Sequence, residues 1–181
     1  MRTVSSVVAI ALLIGVWLVG GAPTAAQVTS NDNTVYLMDN CLPGDPGWAN
    51  TGGCHQRPNL GDVSAAEFGQ LLTSPLITGL VGHPSWRNEP SHLTADSGKR
   101  IRVVNRGGRG HTFTKVADFG GGAVPDFNIA MTRAPECPAT PPEVKDAVLP
   151  GATSETGTLA PGLHKFQCCF HPWMRATIRI Q

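Results

Sequence analysis

A short segment near the C-terminus, FQCCFHPWM, carries a cysteine, a histidine and a methionine at regular spacing. Cys168, His171 and Met174 follow the pattern C-x2-H-x2-M, which can bring three ligand atoms to one side of a tight turn. Pro172 restricts the backbone inside that turn. A thiolate, an imidazole and a thioether form a soft donor set that suits copper in both of its common oxidation states. The spacing therefore predicts a metal-binding turn.

A copper site of this kind needs a second imidazole, which must come from another part of the chain. His111 is the best candidate, because it opens a β-branched segment, HTFTKVADF, directly after the turn NRGGRG. The other four histidines are interpreted as structural: His55, His83, His92 and His164. The candidate ligand set is therefore His111, Cys168, His171 and Met174.

Other interpretations of these residues stay open at this point. A cysteine at a strand end is commonly a small core residue or half of a disulfide, and a structural zinc site also uses cysteine and histidine. Zinc prefers four firm nitrogen, sulfur or oxygen ligands and gains little from a thioether. Met174 is also compatible with simple core packing. The combination of all four candidate ligands with Pro172 favours copper.

The elements that must position these residues are short segments of β character separated by turns. The strand candidates are KRIRVVN (99–105), HTFTKVADF (111–119), AVLPGATSETGTL (147–159), LHKFQCC (163–169) and RATIRIQ (175–181). A proline-rich stretch, APECPATPPE, must be a loop. Short strands at roughly ten-residue spacing predict an antiparallel sandwich or barrel, and the low charge with abundant glycine and proline fits an all-β protein.

The first 26 residues have the features of a secretory signal. Arg2 supplies a positive charge, the run from Val7 to Val19 is apolar, and Thr24 and Ala26 are small residues at a suitable cleavage point. A retained membrane helix is the competing interpretation, but such a helix needs about 20 apolar residues. Without Arg2, the 14 basic and 13 acidic residues become equal in number. The chain then lacks the basic stripe of a nucleic-acid-binding protein, and export permits disulfides.

Residues 27–76 are predicted to form a loop-rich N-terminal extension with one short helix, and residues 77–181 to form the β domain. Within the N-terminal extension, Ser64 and Glu67 form a capping box, which marks the start of a helix. The helix then has a partial apolar face, formed by Val63, Phe68, Leu71 and Leu72.

Over about residues 77–181, the chain resembles the cupredoxins, small Greek-key β-sandwich proteins that carry electrons. The resemblance rests on GHTFT and on CCFHPWM, which is similar to the short ligand loop of amicyanin-type members. It implies a cupredoxin-like Greek-key sandwich with one type 1 copper ion. In that arrangement His111 and His171 are equatorial nitrogen ligands, Cys168 is the thiolate and Met174 is the axial sulfur.

Three departures from the family accompany the resemblance, and one of them is the N-terminal extension at 27–76. Thr112 stands where the family often has asparagine, although its backbone N–H can still donate to the thiolate, and Cys169 adjoins the ligand cysteine. Five cysteines in an exported protein leave one without a disulfide partner. If Cys168 binds copper, the remaining four can form Cys41–Cys54 and Cys137–Cys169. Connectivity does not follow from sequence, so this pairing is a hypothesis.

The resemblance implies an exported blue-copper electron carrier, secreted or periplasmic, and not an enzyme. Its redox partners are expected to dock through a weak, transient interface. The expected contact point is the exposed edge of His171, framed by Pro172 and Trp173.

Two other function classes remain as alternatives. A protein for copper storage, delivery or resistance would use more methionines than the three that follow the leader, Met38, Met131 and Met174. A copper oxidase or reductase would need further copper centres or an open coordination position, whereas the sequence offers one ligand set. Electron transfer is therefore the favoured function.

Overall fold

The computed structural model describes residues 32–73, 82–128, 130–144 and 146–181. The predicted secretory leader at 1–26 lies outside these residues. Within the described ranges, no helix is both long enough and apolar enough to cross a membrane.

The described residues fold into two four-stranded sheets with one α-helix beside them. The strands are β1 (Thr34–Met38), β2 (Arg87–Glu89), β3 (His92–Ala95), β4 (Arg102–Asn105), β5 (Thr114–Val116), β6 (Thr153–Glu155), β7 (Gly162–Gln167) and β8 (Arg175–Ile180). The helix is α1 (Ala65–Leu72), and single 3-10 turns lie at Pro46–Thr51, Pro125–Phe127 and Pro141–Glu143.

The strand order is β2-β1-β4-β6 in the first sheet and β3-β8-β7-β5 in the second. Each sheet contains one parallel pair, β1 with β4 and β3 with β8, and the other pairs are antiparallel. The predicted all-β Greek-key sandwich is confirmed. The sheets are mixed rather than wholly antiparallel, and they do not close into a barrel.

Alternating side chains from both sheets form the core between them. Val35 of β1, Phe166 of β7 and Ile178 of β8 are buried in one cluster. A second cluster, which includes Leu37 of β1 and Val103 of β4, extends towards the end of the sandwich that holds Cys168. Because successive strand residues face opposite sides, this burial pattern sets which side chains of each strand point into the core.

The N-terminal extension contributes a central strand that the sequence analysis missed. Strand β1 lies between β2 and β4, and its segment TVYLM has the β-branched and aromatic character of a strand. The sandwich therefore takes one strand from before residue 77. The division between residues 76 and 77 stays a prediction.

Two local devices hold the rest of the N-terminal extension. Helix α1 begins as predicted, since the Ser64 hydroxyl accepts a hydrogen bond from the Glu67 N–H at 3.1 Å. Asp45 accepts from the N–H groups of Gly47 at 2.9 Å and Ala65 at 2.7 Å, which joins the start of the first 3-10 turn to the start of α1. These bonds fix the start of α1 against the first 3-10 turn.

Candidate metal centre

Three predicted ligands meet in one buried group. One ligand atom from each of His111, Cys168 and His171 lies within 4.8 Å of the other two. The Cys168 Sγ is 3.9 Å from His111 Nδ1 and 3.7 Å from His171 Nδ1. Among the described residues, this is the one group of three or more histidine, cysteine or acidic side chains close enough to share a metal ion.

The loop between β7 and β8 positions two of these side chains. Cys168 follows the last residue of β7, and Met174 precedes the first residue of β8. The Cys168 N–H donates to the Met174 carbonyl at 3.0 Å, and the Met174 N–H donates to the His171 carbonyl at 2.9 Å. Met174 is fully buried in the same cluster as Cys168. Its role as an axial ligand stays a prediction.

His111 reaches the group from a separate segment before β5. Its backbone forms an antiparallel bridge with Val148, with N–H to carbonyl distances of 3.2 and 2.6 Å. The Asn105 side-chain amide donates to the carbonyls of Arg109 at 2.6 Å and Val148 at 2.7 Å, which fixes the preceding turn. Tertiary contacts therefore close the long separation in sequence between His111 and the C-terminal loop.

Thr112 supports the thiolate in two ways. Its backbone N–H donates to Cys168 Sγ at 3.3 Å, as predicted, and its hydroxyl accepts from the Cys169 N–H at 2.7 Å. The threonine hydroxyl thus ties the segment after His111 to the strand that bears Cys168.

The charge state of the group follows from its contacts. Burial alone would raise the pKa of Cys168, but the hydrogen bonds of His111 and His171 and the positive charge of His111 hold that pKa well below its usual 9.0. Burial lowers the pKa of His171 below 6.5, although its hydrogen bond to Cys168 opposes this effect. A thiolate beside a neutral imidazole is the form in which both groups bind metal.

A buried carboxylate stands behind His111. Asp39, the residue after β1, has an exposed fraction of 0%, and its Oδ2 lies 2.7 Å from His111 Nε2. Burial alone would raise the pKa of Asp39, but the hydrogen bond and charge of His111 and the N–H groups of Gly108 and Cys41 hold that pKa below 3.8. Burial alone would lower the pKa of His111, but hydrogen bonds to Asp39 and Cys168 raise it to about 9.

The expected exposed edge of His171 is wrong. His171 is only 7% exposed and Trp173 only 8%, and Pro172 is buried as well. The physical reason is that other rings pack over the loop. Gly82 lies so close to Trp173 that a Cβ added there would meet the indole ring at about 2.0 Å, so this position has room for glycine alone.

Four of the rings around the imidazole of His171 are together called the aromatic cover here. Their ring centroids lie 5.5 to 6.4 Å from that of His171, and they belong to Phe68, Trp86, Phe127 and Trp173. Phe127 is stacked on the imidazole, with an interplanar angle of 23°. Trp48 packs outside Phe68 and Trp86, with centroids 5.4 and 5.9 Å away. Two of the four rings that shield His171 thus come from the N-terminal side of the chain, and two come from later segments.

The cysteines pair as the hypothesis required. Disulfides join Cys41 to Cys54 and Cys137 to Cys169, and Cys168 is a buried free cysteine. One of the two adjacent cysteines therefore faces the histidines, and the other ties the proline-rich loop to the end of β7.

Sequence reasoning missed Asp39 and the arrangement of the aromatic cover around His171. No motif surrounds Asp39, and Trp86 and Phe127 lie in short segments without periodicity. Phe68 was found, but as a generic apolar helix position. His83, predicted as structural, lies outside the ligand group, and its ring stacks on Phe68 with centroids 5.8 Å apart.

No family model and no curated protein matches the sequence. Several solved structures do. One is titled a novel purple cupredoxin from Nitrosopumilus maritimus, at 16% identity over 55% of this chain and 86% of that chain, with a TM-score of 0.39. A reduced amicyanin mutant matches at 18% identity over 51% of this chain and 71% of that chain, with a TM-score of 0.35. An oxidized amicyanin mutant matches at 16% identity, 52% and 73% coverage and a TM-score of 0.36.

Proposed function

We propose that this chain is an exported type 1 copper protein that carries single electrons between redox partners. The observation that carries the proposal is the buried group formed by Cys168, His111 and His171, whose ligand atoms lie within 4.8 Å of one another. When bound there, copper supplies one reversible electron by alternating between Cu(II) and Cu(I). The protein supplies a fixed, dry pocket with the right donors.

The donor set fits copper better than zinc. Two imidazoles and a thiolate are the strong donors of a blue-copper site, and a thioether is its weak axial donor. Met174 closes the same loop and is buried beside Cys168. Structural zinc sites use four firm ligands, and the described residues offer a group of three. The resemblance of CCFHPWM to cupredoxin ligand loops supports the same choice.

The surrounding residues keep the donors in place and exclude water. The loop is closed by backbone hydrogen bonds between Cys168, His171 and Met174, and Thr112 fixes the thiolate from the opposite strand. All four candidate ligands are at most 7% exposed. A pocket that holds one arrangement of donors requires little movement when the charge of the bound ion changes by one, which favours fast electron transfer.

The visible spectrum of the copper-loaded protein tests the proposal. We expect an intense thiolate-to-copper absorption band that Cys168→Ser abolishes. His83→Asn is the matched control, because His83 is also a buried ring near the site, 3% exposed, but lies outside the ligand group. A wild-type protein that binds copper without this band, or a Cys168→Ser variant that keeps it, would contradict the proposal.

Partners need a contact point other than the covered edge of His171. Phe127 and Phe170 are partly buried aromatic residues whose rings lie 6.0 and 6.4 Å from His171. We place the docking surface over these two rings, because they join the imidazole to the protein surface. Such a surface suits the small, transient interfaces of redox encounters.

Electron self-exchange between two copies of the protein tests this surface without a known partner. Phe127→Glu puts like charges at the contact of the two copies, so we expect slower self-exchange. Leu163→Glu is the control, since Leu163 is 54% exposed at the start of β7, the strand end away from Cys168. Equal slowing by both variants would contradict the assignment.

The disulfides support a cellular location outside the cytoplasm. Two disulfides in the described residues suit an oxidising compartment, secreted or periplasmic.

The burial of all four candidate ligands disfavours a storage or delivery role, because such a role requires ready exchange of metal. Rapid transfer of Cu(I) from the protein to a mild chelator would favour delivery over electron transfer.

A further inference from the structure

A buried carboxylate, on the residue that follows β1, contacts one candidate ligand of the metal centre. Asp39 follows β1, far in sequence from the ligands, and its side chain is fully buried. Moving an ionised carboxylate out of water costs several kcal/mol unless it is paired and hydrogen-bonded. Asp39 meets this condition, because both of its oxygens have partners.

Each oxygen of Asp39 contacts the turn that leads to His111. Oδ1 accepts from the N–H groups of Gly108 at 2.9 Å and Cys41 at 3.3 Å. Oδ2 accepts from the Arg109 N–H at 3.0 Å and lies 2.7 Å from His111 Nε2. The carboxylate thus fixes the backbone of the turn and the far side of the imidazole together.

The glycines before His111 are needed for this contact. A Cβ added to Gly107 would meet Asp39 Oδ2 at about 2.0 Å, and one added to Gly108 would meet Cys41 Sγ at about 2.5 Å. The turn NRGGRG therefore does more than reverse the chain. Its missing side chains let the backbone approach the carboxylate and the Cys41–Cys54 disulfide.

The contact determines which ring nitrogen of His111 is free. An ionised carboxylate only accepts hydrogen bonds, so the proton shared with Asp39 belongs to Nε2. In the neutral ring the lone pair then lies on Nδ1, the atom that faces Cys168 Sγ at 3.9 Å. A carboxylate on the other nitrogen also raises the basicity of a ligating imidazole.

We propose that Asp39 is a positioning residue of the metal centre, which holds the tautomer and orientation of His111 and adds a buried negative charge behind that ligand. The inference rests on the proposed copper site. It adds Asp39, from the N-terminal side of the chain, to the residues that form the centre. The geometry of the centre then depends on the end of β1 as well as on the C-terminal loop. Because a negative charge stabilises Cu(II) more than Cu(I), its loss raises the reduction potential.

The test compares Asp39→Asn with wild type in the full chain. We expect the affinity for Cu(I), measured by competition with a chelator, to fall about 10- to 100-fold. We also expect an upward shift of the reduction potential and a changed thiolate-to-copper band. Asp39→Glu retains the charge and is expected to recover part of the affinity and potential.

Asp45→Asn is the matched control for a purely structural role. Asp45 also accepts two backbone N–H groups, from Gly47 and Ala65, but contacts no imidazole. We expect Asp45→Asn to leave the affinity, potential and band unchanged. Equal changes in Asp45→Asn and Asp39→Asn, or no change in Asp39→Asn, would overturn the inference.

A measurement on the wild-type protein keeps the inference testable even if Asp39→Asn does not fold. In the zinc-loaded protein, NMR should show a slowly exchanging proton on Nε2 of His111 and none on Nδ1. A His111 ring that carries its proton on Nδ1 would overturn the inference. Failure of the wild-type chain to bind copper would instead overturn the proposed function, so the two failures are distinguishable.

Discussion

The ligand loop at 168–174 and the N-terminal region at 39–86 contact the same imidazole rings, but they contribute different properties. The loop supplies the thiolate, one imidazole and the candidate thioether within a single turn. The N-terminal region supplies no ligand in the group. It supplies Asp39 behind His111, and two rings of the aromatic cover, Phe68 and Trp86, over His171.

The two regions therefore have separate roles: the ligand loop supplies most of the metal donors, and the N-terminal region affects water access and the orientation of the imidazole rings. Donor types and their spacing favour copper, and a single turn supplies three of the four candidate donors. Access of water and ring orientation depend on side chains that reach the site only through folding. Arg109 makes such long-range contacts. Its guanidinium donates to the carbonyls of Thr51 and Gly53 at 2.6 Å each and lies 4.8 Å from the ring of Trp48.

Removal of one ring from the aromatic cover is expected to have the largest effect. Phe68 is 7% exposed and contacts Trp48, Trp86, Trp173 and His171. Phe68→Ala should lower the free energy of unfolding by about 3–5 kcal/mol. It should also speed the removal of Cu(I) by a chelator, because the cavity exposes His171. Urea unfolding and the kinetics of metal transfer measure the two effects.

Leu93→Ala is the control for this prediction. Leu93 is also 7% exposed but belongs to the core cluster at the other end of the sandwich. Its loss should destabilise the fold by about 2–5 kcal/mol without a comparable effect on metal release. If both variants released copper equally fast, general loosening rather than the cover would control access.

The two disulfides offer a second comparison of the regions. Cys41–Cys54 closes a loop with a sequence separation of 13 in the N-terminal region, and Cys137–Cys169 closes one of 32 beside the ligand strand. Because the stabilisation grows with loop length, replacing each pair by alanine should cost about 3 and about 4 kcal/mol respectively. Unfolding of the metal-free proteins measures both costs, so that bound copper does not contribute. A larger cost for the shorter loop would contradict this order.

The sequence predicts the chemistry of the site better than its surroundings. His111, Cys168 and His171 were found because their types and spacing narrow the possible ligands, and the structure brings these three together. The capping box at Ser64 and the five strands from β4 to β8 were found because their signals are local.

Asp39 and the burial of His171 were not found, and both have long-range causes. An aspartate after a strand is an ordinary residue until the glycine turn at 107–108 is folded against it. The edge of His171 was expected to be exposed because the resemblance to the cupredoxins implied a contact point there. Packing of Phe68, from a helix far upstream, cannot be read from the spacing of the loop residues.

The pH dependence of the metal-free protein tests the contact that joins the two regions. The pKa of His111 is raised to about 9, so its contribution to stability is complete below pH 6.5 and is lost as the pH rises to 9. The pKa of Cys168 is lowered from 9.0, so its contribution is complete above pH 9 and is lost as the pH falls through the lower value.

Between pH 6.5 and 9 the effects of His111 and Cys168 on the free energy of unfolding should cancel. The folded state holds its proton on His111 and the unfolded state holds one on Cys168, so the number of bound protons is equal. We expect a nearly flat free energy of unfolding for wild type. Cys168→Ser removes the Cys168 effect and leaves the part of the His111 effect that Asp39 causes. The free energy of unfolding of this variant should therefore fall as the pH rises, by at most about 1.4 kcal/mol per pH unit. Urea unfolding across this range measures both, and a steep wild-type slope would contradict the assigned charges.

The smallest effect is expected at the start of α1, where the N-cap residue Ser64 stabilises the helix that carries Phe68 of the aromatic cover. The Ser64 hydroxyl accepts from the Glu67 N–H at 3.1 Å, and Ser64→Ala leaves that donor without a side-chain partner. The free energy of unfolding should fall by about 1 kcal/mol, with the copper band unchanged because Phe68 stays on the helix. Ser64→Asp keeps an accepting oxygen at the cap and should restore the stability. If Ser64→Ala released copper as fast as Phe68→Ala, the position of α1, and not the ring of Phe68, would shield His171.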